Sequence, residues 1–121
     1  MNRPVHFEIC AGDPVRLSAF YARVFGWKIA SFPGPQSYWF VKTGEKDDAG
    51  IDGGFMGKHF PQPVIHTVAV ESLEDTLDAI EAAGGSLVHG PNEVPGVGRH
   101  AYCTDPEGIF FGVMQPGEAS S

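Results

Sequence analysis

Residues 96–115 read GVGRHAYCTDPEGIFFGVMQ, and they divide into two strands and the turn that joins them. Residues 99–104 hold Tyr102, Cys103 and Thr104, types that suit a half-buried strand. Asp105-Pro106-Glu107-Gly108 then supplies a turn, with Pro106 presetting φ and Gly108 accepting a positive φ. Residues 109–114, IFFGVM, form a second apolar strand interrupted by Gly112. A glycine inside a strand leaves a gap in the sheet surface, so another group is expected to approach the backbone there.

Upstream of this hairpin the elements fall into an order that occurs twice. Residues 64–70, VIHTVAV, read as a strand, and Ser72 as a helix N-cap with Asp75 three residues on as a capping-box partner. Leu73, Leu77 and Ile80 form the inward face of that helix, and Gly84-Gly85 ends it. Ser86 to His89 is a strand and Pro91 to Gly98 a loop. In the first half, residues 5–10, VHFEIC, alternate as a half-buried strand. Asp13 caps a helix with Pro14 at its first position, Leu17, Phe20, Tyr21, Val24 and Phe25 share one face, and Gly26 stops it. Strands follow at 27–31, 37–43 and 51–56, with a loop at Pro33-Gly34-Pro35. Sliding one half on the other by 59 residues superimposes Asp13 on Ser72 and the Phe25-Gly26 stop on Gly84-Gly85. Two independent patterns agreeing make a duplicated module the strongest inference from the chain.

The expected fold class is therefore α+β: two tandem βαβββ modules, 1–57 and 63–116, forming a curved half-barrel sheet around a cavity. Residues 117–121 are expected to be a flexible tail. At 121 residues, with 42% apolar and 19% charged residues, the chain has the size and composition of one soluble domain. Its net charge of −7 and the lack of any Lys/Arg cluster exclude a nucleic-acid binder and a protein held on anionic membranes. No apolar run reaches the length of a membrane span, and the N-terminus MNRPVHFEIC does not read as a signal peptide. Cys10 and Cys103 have no metal-type spacing and read as buried reduced thiols, in keeping with a cytoplasmic protein.

The repeat and the DPEG turn resemble the vicinal oxygen chelate superfamily, which includes glyoxalase I, extradiol dioxygenases, and bleomycin- and fosfomycin-resistance proteins. The resemblance rests on His6 and Asp13 ahead of the helix bearing Phe20-Tyr21, on the helix closing at Gly84-Gly85, and on Gly98 to Gly108. It covers essentially the whole chain and speaks to fold more than to chemistry. In metal-dependent members the ligands are His or Gln on the first strand, Glu on the fourth, His or Gln on the fifth and Glu on the eighth. Carried over, His6 matches the first, Asp52 or Gly54 stands at the second, Ile65 at the third and Gly112 at the fourth. His66 shares the parity of Val64, Val68 and Val70, which are expected to pack on the helix, so it points away from the cavity. The resemblance thus implies a degenerate metal site and no cofactor; a divalent metal, if held, would use His6 and Asp52.

The remaining site candidates come from strand alternation. Phe110, Gly112 and Met114 face the cavity, with Ile109, Phe111 and Val113 in the core. Tyr102, with His100 and Thr104, faces the cavity, while Ala101 and Cys103 face the core. On the third strand the parity is open between Trp39 and the Tyr38/Phe40 pair, and Trp39 stands as the candidate. His6 and Glu8 are the candidate catalytic or anchoring groups. The leading expectation is a small organic molecule bound in the sheet cavity, in a homodimer. The alternatives are a metal-dependent lyase, isomerase or dioxygenase using His6 and Asp52, and a dimeric structural module with a filled cavity.

Overall fold

The computed structural model describes residues 1–31 and 37–117. Its elements run β1 (Arg3–Cys10), α1 (Pro14–Phe25), β2 (Lys28–Ser31), β3 (Tyr38–Lys42), β4 (Asp52–Met56), β5 (Val64–Ala69), α2 (Leu73–Ala82), β6 (Ser86–Val94), β7 (Gly98–Thr104) and β8 (Phe110–Pro116). The loop expected at Pro33–Pro35 and the tail from residue 118 on lie outside the described residues. By contact the chain divides into two units: His6–Ile65, and Met1–Val5 together with the chain from His66 onward. No helix among the described residues is long and apolar enough to cross a membrane.

In the first unit β1 runs parallel to β4, and β4 and β2 each lie antiparallel to β3. In the second, β5 runs parallel to β8, and β8 and β6 each lie antiparallel to β7. Each unit therefore places its first strand beside its fourth, and the third between the fourth and the second. The helix starts also repeat. Asp13 accepts the Arg16 N–H at 3.1 Å, and the Ser72 hydroxyl accepts the Asp75 N–H at 3.2 Å. Both helices give way to a left-handed glycine, Gly26 at φ 73° and Gly84 at φ 97°.

The helix-side cores differ. In the second unit Val70, Leu73, Ala101, Cys103 and Val113 are buried together, with Val68, Leu77, Ile80 and Phe111 packed on them. That is the inward face expected of α2 and of β7. In the first unit the contact is aromatic: the Tyr21 ring lies 5.7 Å from Phe55 and 4.7 Å from Trp27, and Phe7 lies 5.8 Å from Trp27. No residue of α1 is fully buried, and Phe20, Val24 and Phe25 are exposed. The apolar stripe of α1 is wider than the part Tyr21 presses onto the sheet.

Three local expectations change. The loop expected from Pro91 is strand as far as Val94, because β6 pairs on one side only and a proline without an N–H is tolerated on such an edge. Its register shifts between Leu87 and His89 and again before Asn92. Ile109 is not core; it is exposed and closes the turn, its carbonyl accepting the Asp105 N–H and its own N–H donating to the Asp105 carboxylate, each at 3.0 Å. Val64, at the end of β5, is likewise exposed rather than packed on a helix.

Candidate functional site

Strand register decides which side chains share a face with His6. His6 pairs with Asp52, Glu8 with Gly54 and Cys10 with Met56, and residues directly opposite one another point the same way. On β3, Tyr38 pairs with Met56 and Phe40 with Gly54, so both join the His6 face. Trp39 pairs with Phe55, the fully buried residue under Tyr21, so it stands on the helix side. The sequence assignment of Trp39 to the His6 face is therefore corrected to Tyr38 and Phe40.

The geometry around His6 is specific. Its Nε2 lies 2.8 Å from the Tyr38 hydroxyl and 3.9 Å from Glu8 Oε2. Tyr38 in turn meets Phe40 edge to face, ring centres 5.8 Å apart at 83°. Tyr38 reaches His6 by passing over Gly54: a side chain there would collide with its phenol oxygen and ring. On the opposite face of the sheet Gly53 makes room in the same way for the ring of Phe7. The Gly53-Gly54 pair thus opens both faces of β4.

The electrostatics favour a neutral imidazole. Burial pushes the His6 pKa down, against upward contributions from Glu8 and Asp52. The His6 side chain still keeps 26% of its surface, so a ligand can reach it, whereas Glu8 is buried. Burial also raises the Cys10 thiol, with Glu8 adding to the effect, so Cys10 is a neutral thiol. Asp52 is exposed, and its Oδ1 accepts the Thr43 N–H at 2.8 Å and the Thr43 hydroxyl at 3.2 Å. It ties down the β3–β4 turn.

The second unit repeats the glycine gap. Gly112 pairs with Thr67 on β5 and with Tyr102 on β7, while His100 pairs with Met114 and Thr104 with Phe110. Tyr102, Phe110, Gly112 and Met114 thus share a face, together with His100, Thr104 and Thr67. His100 passes over Gly112 to meet the Thr67 hydroxyl at 3.3 Å, and a Cβ on Gly112 would stand 2.7 Å from His100 Nε2 and nearer still to Thr67 Oγ1. The gap expected from the sequence is present, and the chain's own side chains occupy it. His66 is exposed, with the parity of Val64 and Val68.

The donor set for a metal is poor. Among the described residues no three His, Cys, Asp or Glu side chains are grouped to hold an ion. His6 Nε2 is engaged by Tyr38, Asp52 by the turn, and Gly54 and Gly112 carry no side chain. These residues do not fit the four-ligand metal centre of the metal-dependent members named above. Two concavities of about 400 Å³ open on the first unit, one beside Ile9, Arg16 and Phe20, the other beside Lys58, His59 and Phe60. Neither is lined by His6 or Tyr38. Sequence reasoning missed the roles of Tyr38 and His100; the shared signal was a glycine in the fourth strand of each module.

The Glyoxalase/Bleomycin resistance protein/Dioxygenase superfamily model matches residues 3–113. CFP32 of Mycobacterium tuberculosis, named as a candidate glyoxylase, is 33% identical over 114 residues, which cover 90% of this chain and 42% of that protein. DnrV of Streptomyces peucetius, named as an anthracycline biosynthesis protein, is 30% identical over 129 residues, with coverage of 94% and 47%. The chain spans less than half the length of these curated relatives. Among solved structures, a variant of Streptomyces coelicolor methylmalonyl-CoA epimerase in complex with 2-nitronate-propionyl-CoA matches with a TM-score of 0.75 at 13% identity, covering 100% of this chain and 99% of that one. A hypothetical protein from Bacillus halodurans matches with a TM-score of 0.73 at 12% identity, covering 98% and 97%. At such identities the likeness is one of fold.

Proposed function

This chain belongs to the Glyoxalase/Bleomycin resistance protein/Dioxygenase superfamily, and on that premise we propose that it binds a small planar organic molecule on the His6 face of its first unit, without a metal ion. The observation that carries this reading is the His6–Tyr38 hydrogen bond beside the exposed ring of Phe40. A neutral imidazole and a phenol can each donate and accept, which suits a carbonyl or hydroxyl group on the ligand. Phe40 offers an aromatic surface for a ring to lie against. A relative named for anthracycline biosynthesis supports a planar, oxygenated aromatic as the class. If the bound molecule is also turned over, His6 is the reachable base, with the carboxylate of Glu8 buried 3.9 Å behind its Nε2.

The reading includes two further parts. The exposed Phe20, Val24 and Phe25 of α1, and edge strands β2 and β6, support pairing of two copies, which light scattering on purified protein would show as twice the chain mass. The free thiols Cys10 and Cys103 fit a reducing, cytoplasmic compartment.

The test is a fluorescence titration with 1,4-dihydroxyanthraquinone in the presence of EDTA. The expected result is saturable binding to the wild type that weakens roughly tenfold in His6→Ala, as the loss of one buried hydrogen-bonding group would give. Binding that is absent, or unchanged in His6→Ala, would overturn the reading. Affinity that returns only when a divalent metal is added would put the metal-dependent enzyme in its place.

A further inference from the structure

The same device occurs in both modules. In each, a glycine of the fourth strand faces a polar residue of the first strand, Glu8 opposite Gly54 and Thr67 opposite Gly112. In each, the residue that crosses the gap comes from the third strand and pairs with a methionine two positions after the glycine, Tyr38 with Met56 and His100 with Met114. In each, it ends in a hydrogen bond to a first-strand side chain, Tyr38 to His6 at 2.8 Å and His100 to Thr67 at 3.3 Å. Either glycine, given a Cβ, would collide with the crossing side chain. The glycine and the crossing residue hold the same register place in both modules; the first-strand partner differs, Thr67 standing opposite its glycine and His6 two residues before the one opposite Gly54.

The consequence differs between the modules, because only the first brace ends on an accessible imidazole. A histidine coordinates a metal through a ring nitrogen lone pair, and Nε2, the nitrogen 2.8 Å from the phenol, is the one that Tyr38 engages. From this we infer that Tyr38 is the positioning residue of the His6 site and Gly54 the specificity-determining gap that admits it. The phenol occupies the Nε2 side of His6, fixes the ring, and leaves the pair facing an organic oxygen. This rests on the reading of the His6 face as an organic-ligand site.

The experiment is a calorimetric titration of the full chain with Zn²⁺, run on the wild type, Gly54→Glu, Tyr38→Ala and the Tyr38→Ala/Gly54→Glu double variant. With the phenol gone, a carboxylate at position 54 stands opposite Glu8 and next to His6, so three ligands converge. The double variant is expected to bind one Zn²⁺ per chain roughly 100-fold more tightly than the wild type, the upper end of what altered ligand shells produce. Wild-type protein that binds Zn²⁺ as tightly as the double variant would overturn the inference. A conservative variant guards against loss of the fold: in Tyr38→Phe the ¹⁵N resonance of His6 Nε2 is expected to move while the amide spectrum of the second unit stays in place. An unmoved His6 resonance would also overturn it. If that resonance moves and 1,4-dihydroxyanthraquinone still fails to bind the wild type, the positioning role of Tyr38 is supported and the organic-ligand reading alone falls.

Discussion

The two modules share one strand order and one glycine gap, yet they fill their helix sides with different chemistry. The first stacks rings: Tyr21 on Trp27 and Phe55, and Phe7 on Trp27. The second packs aliphatic and small side chains, Val70, Leu73, Ala101, Cys103 and Val113. The aromatic version leaves α1 without a fully buried residue, while α2 buries Leu73 completely. On the other face the first brace joins a phenol to an imidazole, and the second joins an imidazole to a hydroxyl. Topology is thus copied between the modules and chemistry is not, and only the first module keeps a titratable group poised at the end of its brace.

Core truncation is the strongest way to break this comparison. Phe55 and Leu73 are both fully buried, so Phe55→Ala should cost about 3–5 kcal/mol and Leu73→Ala about 2–5 kcal/mol in urea unfolding. If the aromatic stack is the cement of the first module, Phe55→Ala is the larger of the two. Equal losses, or a smaller one at Phe55, would mean that the exposed α1 rings carry little of the packing.

Filling the gaps comes next. Gly54→Ala and Gly112→Ala each force a methyl onto a crossing side chain, an overpacking worth about 1–3 kcal/mol. The three atoms nearest a Cβ at Gly54 all belong to Tyr38, so Tyr38→Ala should relieve the collision, whereas the same background should do nothing for Gly112→Ala. A double-mutant cycle with no coupling between positions 38 and 54 would break the parallel between the modules.

The smallest effect is one of pH. Burial lowers the His6 pKa from its usual 6.5, so the unfolded chain takes up a proton at a pH where the folded one still resists. In that interval the unfolded state binds more protons, and stability rises with pH. The contribution is complete above 6.5 and is lost as pH falls from there toward the lowered value of the fold. Thermal melts from about pH 7.5 to about pH 5.5 should show a decline that is shallower in His6→Gln. An identical slope in that variant would remove the poised imidazole from the comparison.

Much of the scaffold could be read from residues close together in sequence. Asp13-Pro14, Ser72, Gly26 and Gly84 marked both helices, because caps and left-handed stops are local chemistry. The faces of β7 were readable because small Ala101 and Cys103 alternate with His100, Tyr102 and Thr104. The faces of β3 were not, since Tyr38, Trp39, Phe40 and Val41 are apolar or aromatic on both sides. Pro91 hid the second half of β6, where an edge position overrides the usual reading of proline. The gap at Gly112 was visible, but what fills it was not. Thr67 and His100 are 33 residues apart, and His6 and Tyr38 are 32 apart, so both braces depend on strand register that no local pattern encodes.

The measurement that bears most directly on the His6 face is metal content by elemental analysis of the full chain, purified without chelator, beside His6→Ala. An organic-ligand site with its imidazole held by Tyr38 predicts far less than one metal per chain in both proteins. Near-stoichiometric metal in the wild type, lost in His6→Ala, would contradict it and return the chain to the metal-dependent chemistry of its superfamily.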